Sequence, residues 1–222
     1  MKKFFVIFLS LVMLSVIASA ACAFDVKPYF KLGTIDASEE DHQMATGHKI
    51  MMGVGVNVIS DGKLRKELIA ECWAMTEPTD EDREIPHDGI DVSGKLSYRF
   101  YPNPETEIYP FAGLGFERWR RNSPDDGDQD RFYGDLNFIK TFFGLGAKYK
   151  NYYLEAGGLL PFWSDTDSGQ EPDGKLGIAI NAGMTRGKID FELFYTQKEF
   201  GGDGSQTDFQ LEQYGIIIKY KI

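Results

Sequence analysis

The chain has 222 residues, with 24 Lys plus Arg against 34 Asp plus Glu, a formal charge of −10. Two Cys exclude a disulfide framework and a Cys-rich zinc site. The acidic balance argues against a general nucleic-acid binder, which needs surplus Lys and Arg to neutralise phosphates.

Residues 1–23 read as a signal peptide. Lys2 and Lys3 form a basic start, Phe4 to Ile17 is apolar apart from Ser10 and Ser15, and small residues follow to Ala21-Cys22-Ala23, an A-x-A cleavage site. Ala18-Ser19-Ala20 is a second such site. Cleavage after Ala23 starts the mature chain at Phe24 and leaves Cys72 as its single thiol. An uncleaved anchor helix would need a longer stretch, and a lipid on Cys22 would want an aliphatic residue where Ser19 stands. Residues 24–222 form the single remaining domain.

From Phe24 onward the hydrophobic period is two, the signature of strands. In Ile90–Tyr101 the even positions are Ile90, Val92, Gly94, Leu96, Tyr98 and Phe100, and the odd ones are mostly polar. The same split runs through Ile50–Val58, Leu176–Thr185, Ile189–Thr196 and Tyr214–Ile222. Ten strands are predicted, over 25–35, 48–60, 64–76, 90–101, 108–119, 138–149, 152–163, 175–186, 189–199 and 209–222, with eight as the alternative count. Such lengths suit a membrane-crossing strand, which needs about 9–11 residues. Tight turns at Asp61-Gly62-Lys63, Pro102–Glu107, Lys150-Asn151 and Gly187-Lys188 alternate with long loops at 36–47, 77–89, 120–137, 164–174 and 200–208. The fold class is therefore all-β, an antiparallel up-and-down transmembrane β-barrel with short turns on one rim and long loops on the other.

Alternation alone does not say which face is wet, since a soluble barrel is apolar inside and a membrane barrel outside. The non-apolar face carries Gly53, Gly55, Gly113, Gly115, Gly144, Gly146 and Gly183 with charges of both signs. Aromatics on the apolar parity, Tyr98, Phe100, Tyr149, Tyr152 and Tyr220, gather near the short turns, as an interfacial girdle does. The glycine-lined face is accordingly expected inside. There Glu67, Glu71, Lys95, Arg99, Glu117, Lys148 and Glu155 are expected to form a salt-bridged plug.

Tyr109-Pro110-Phe111-Ala112-Gly113-Leu114-Gly115-Phe116 resembles the aromatic and Gly-x-Gly strands of small Gram-negative outer-membrane β-barrels of the OmpA-like and OmpW-like kind. Tyr214–Ile222 is similar to the closing strand read by the barrel assembly machinery, although those strands end in Phe or Trp and this one in Ile222. The resemblance implies a bacterial outer-membrane location, outer-membrane lipid and lipopolysaccharide as surroundings, the assembly machinery as a partner during biogenesis, and a monomer. No nucleic-acid partner and no cofactor are expected.

The five long loops hold 21 acids and four bases, a charge of −17. A solvated, repulsive rim accounts for this. The sharper alternative is a divalent cation on Asp125, Asp126, Asp128 and Asp130, which offer hard oxygen ligands without the EF-hand spacing. Trp73, Trp119 and Trp163 all end strands that run toward the long loops. By parity all three point into the lumen mouth, where they could form a stacking vestibule for a sugar or cationic solute with Glu71 and Glu117 as polar partners. His42, His48 and His87 lie in or beside the first two long loops, but no nucleophile-elbow or zinc-protease motif accompanies them. The function expected is non-catalytic, a structural or surface-interaction barrel. The alternatives are a narrow passive channel for small solutes and a rim-sited hydrolase acting on lipid A or peptides.

Overall fold

The computed structural model describes residues 24–39, 49–76, 86–120, 135–166, 171–201 and 209–222. The expected signal peptide, His42, His48 and the four aspartates of 125–130 lie outside them. The strands are β1 (Phe24–Glu39), β2 (Lys49–Ser60), β3 (Leu64–Met75), β4 (Asp88–Tyr98), β5 (Phe100–Asn103), β6 (Thr106–Arg120), β7 (Leu136–Tyr149), β8 (Tyr152–Thr166), β9 (Asp173–Arg186), β10 (Ile189–Gly201) and β11 (Phe209–Tyr220). The short β5 continues β4 beyond Arg99, and both pair with β6, so the wall has ten staves. Every adjacent pair is antiparallel, and β1 closes on β11 from Tyr29↔Lys219 to Glu39↔Phe209. Closure gives every stave a paired neighbour on both sides. The order is up-and-down, as the alternation of turns and loops predicts.

Turn chemistry sets the short rim. Lys150 (φ 54°) and Gly187 (φ 64°) supply the left-handed positions that tight hairpins need. The Asn103 side chain accepts a hydrogen bond from the Glu105 backbone N–H at 3.0 Å, holding the turn before β6.

Around the short-turn half, the outer face is apolar. Phe30, Val54, Leu96, Leu114, Leu145, Leu154, Leu193 and Ile216 all stand exposed there, and Tyr98, Phe100, Tyr149, Tyr152 and Tyr220 ring the turn side. The inner face is built from cross-strand pairs of a glycine with an aromatic ring: Tyr29↔Gly55, Tyr109↔Gly146, Phe111↔Gly144, Phe142↔Gly113 and Tyr153↔Gly183. These glycines are required for space. A Cβ at Gly55 would fall 2.3 Å from the Tyr29 ring, and one at Gly113 would fall 2.2 Å from that of Phe142.

Toward the long loops the interior turns apolar. Ile35, Met51, Trp73, Trp119, Leu136, Phe138, Phe200, Phe209 and Leu211 are buried inside, forming an apolar layer across the lumen from six strands and more. Trp119 packs edge-on against Phe138 at 5.0 Å and Phe200 at 5.6 Å between ring centres. The outer face at this level is mixed, with Ile50 and Ile90 exposed beside polar pairs. Arg118 pairs with Asp135, Arg120 with Asp88 at 2.5 Å, and the Tyr195 hydroxyl and the Gln210 amide both donate to Glu212.

One register irregularity matters for the site. Ile139 of β7 faces Trp163, whereas the next residue, Lys140, faces Pro161, so β8 carries an extra residue at Phe162. A bulge of this kind reverses the parity beyond it. Ser164 and Thr166 turn inward and are buried, while Trp163 lies outside with 47% of its surface exposed. The expectation that Trp163 points into the lumen mouth is therefore corrected.

Candidate functional site

Inward charges gather at two heights. The upper group hangs beneath the apolar layer. Glu117 of β6, 1% exposed, accepts from Lys140 at 2.6 Å, Lys198 at 2.5 Å and the Trp119 indole N–H at 2.6 Å. Lys140 also donates to Asp91 at 2.5 Å, and the Lys198 ammonium sits 5.1 Å from the Trp119 ring centre. A buried carboxylate is tolerated when charged donors surround it, and here two ammonium groups and an indole do so.

The lower group lines the short-turn half. Lys95 bridges Glu67 at 3.3 Å and Glu155 at 3.0 Å, and Tyr109 donates to Glu155 at 2.9 Å. Arg65 and Asn57 complete Glu67. Lys31 and Tyr29 both donate to Glu71, at 2.7 and 2.8 Å. Lys219 and Tyr153 both donate to Glu192, at 2.9 and 2.7 Å, and Lys27 pairs with Asp190 at 2.6 Å. At the turn rim Arg99 grips Glu107 through two nitrogens, at 2.7 and 2.6 Å, and reaches Asp61 at 2.8 Å. A cavity of about 210 Å³ lies among these pairs.

The residues singled out in the sequence are thus divided. Glu67, Lys95 and Glu155 form one chain of contacts, with Arg99 on its own pair nearer the turns. Glu117 belongs to the separate upper group. Lys148 faces the cavity and has no ion pair with any described residue. The Trp vestibule is not assembled: Trp73, 3% exposed, and Trp119, 0% exposed, are packed in the apolar layer, and Trp163 is outside. Glu71 and Glu117, its intended polar partners, are already engaged by lysines. His87 ties strand ends together, its backbone N–H donating to Arg120 and its carbonyl accepting from Met75, while its Nε2 is buried and makes no hydrogen bond with any described residue. Sequence reading missed Lys140 and Lys198 as the partners of Glu117, and Asp91 as the second acceptor of Lys140. It also missed the tyrosines that satisfy the lower carboxylates. Their inward parity was the available signal.

No protein-family model matches the sequence, and no curated protein matches it. Among solved structures, the chain is similar to Neisserial surface protein A (10% identity, TM-score 0.40), over 90% of this chain and 97% of that one. It is similar to the outer-membrane protease OmpT from Escherichia coli (11% identity, TM-score 0.45), over 89% and 97%. A third is an outer-membrane channel from Pseudomonas putida F1 (10% identity, TM-score 0.39), over 88% and 95%.

Proposed function

We propose that the chain is a bacterial outer-membrane β-barrel with a non-catalytic, structural or surface-interaction role, its long acidic loops outward and its turns toward the periplasm. The single observation that carries this reading is the wall's polarity. Around the short-turn half, apolar side chains face out and a paired, charged lumen faces in, an arrangement that only a hydrocarbon surrounding stabilises. The apolar layer of Trp119, Phe138, Phe200 and Phe209 blocks the lumen on the loop side, which supports a sealed barrel. Lipid and lipopolysaccharide are its surroundings, the barrel assembly machinery its route in, and the monomer its working form.

Reconstitution into a planar bilayer tests the reading. The protein should insert from detergent and give no unitary conductance. Regular conductance steps would instead establish the second reading, a narrow passive channel, which the 210 Å³ cavity favours. A rim-sited hydrolase would require an activity on lipid A or peptides that is lost in His42→Ala, His48→Ala or His87→Ala.

A further inference from the structure

The cavity in the short-turn half runs from Lys31 and Glu71 down to Lys27, Asp190 and Lys148 near the rim. Six cationic and five anionic side chains line it. All five carboxylates, those of Glu67, Glu71, Glu155, Asp190 and Glu192, already accept from a lysine, an arginine or a tyrosine hydroxyl. The surplus charge is Lys148. Its neighbours directly across β6 and β8 are Glu107 and Tyr153. Glu107 is held by two nitrogens of Arg99, and the Tyr153 hydroxyl donates to Glu192. Among the described residues neither makes an ion pair or hydrogen bond with Lys148. A half-buried ammonium that contacts no counter-charge among the described residues loses hydration that the wall does not replace. An anion entering the cavity would replace it, whereas a cation would meet carboxylates that each already face a lysine.

We propose that this cavity binds a small oxyanion, a carboxylate or phosphate group, entering from the short-turn side, with Lys148 as its charge partner. The volume admits a group of a few heavy atoms and is below the range of pockets that enclose larger organic ligands, about 300–1,000 Å³. The apolar layer above makes the site a dead end, so the ligand leaves by the way it came. The inference goes beyond the sealed-barrel reading and does not depend on whether the barrel conducts.

Calorimetric titration of the folded protein in detergent micelles tests it, at constant ionic strength. Inorganic phosphate and acetate serve as the two anionic probes and tetramethylammonium as the cationic one. Saturable heat is expected with at least one anion in the millimolar range and none with the cation. Lys148→Met should weaken the binding by at least about tenfold with an unchanged melting temperature, and Lys148→Arg should keep it. No saturable heat with either anion, undiminished binding in Lys148→Met, or saturable binding of tetramethylammonium would each overturn the proposal.

Discussion

The ring of Tyr109 occupies the space that a side chain at Gly146 would need: a Cβ there would stand 2.2 Å from the ring. The two residues face each other across β6 and β7, and the Tyr109 hydroxyl goes on to Glu155. Gly146→Ala should therefore push the ring out and break that hydrogen bond. Overpacking of this kind costs about 1–3 kcal/mol. Equilibrium unfolding in urea would show the loss, and Gly62→Ala, at an open turn, would not share it.

Glu117 is the hinge of the upper charge group. Glu117→Ala leaves Lys140 and Lys198 buried, with Asp91 the one carboxylate still paired with them among the described residues. Removing one partner of a buried ionic group costs about 3–5 kcal/mol. The variant should unfold at markedly lower denaturant, while Glu105→Ala, on an exposed turn pair, should shift stability by less than about 1 kcal/mol. Equal midpoints for the two variants would mean that the upper group carries no such weight.

Leu96 and Ser97 are adjacent in β4 but 52% and 2% exposed. With Cys72 replaced, a single Cys at 96 should react with a lipid-soluble maleimide and resist a charged one in vesicles. A Cys at 97 should resist the lipid-soluble reagent. The opposite pattern would place the greasy face inside and remove the membrane reading.

Trp163 is the outward tryptophan and Trp73 and Trp119 the inward ones. Brominated acyl chains should quench part of the intrinsic fluorescence, and Trp163→Phe should abolish that part. Quenching that survives undiminished in Trp163→Phe would show that Trp163 does not face the lipid and that the β8 bulge is misplaced.

Much of the wall was readable from alternation. Ile90 to Phe100 and Ile50 to Val58 place their residues on the faces that parity assigns, because a strand's side-chain period is fixed at two. Parity fails once a residue is inserted, and it failed at Phe162. Pro161 was the available warning, since proline inside a strand favours bulges and edges. The plug was misjudged for a different reason. Glu117 has the same parity as Glu67, but parity carries no information about height, and height decides which lysines meet which carboxylates. The apolar layer was missed. The reading left Leu136 in the loop 120–137 and Phe200 in the loop 200–208, whereas β7 and β10 extend to include them and carry them inward.

The first polar pairs on the outer wall near the loops also fix where the cylinder floats. For a barrel set in lipid, sinking would drag Glu212 and the Arg118–Asp135 pair into oil, and rising would wet Ile50 and Ile90. The same sequence that folds the wall thereby marks its waterline, and Phe162 and Trp163, turned out by one extra residue, stand beside that mark.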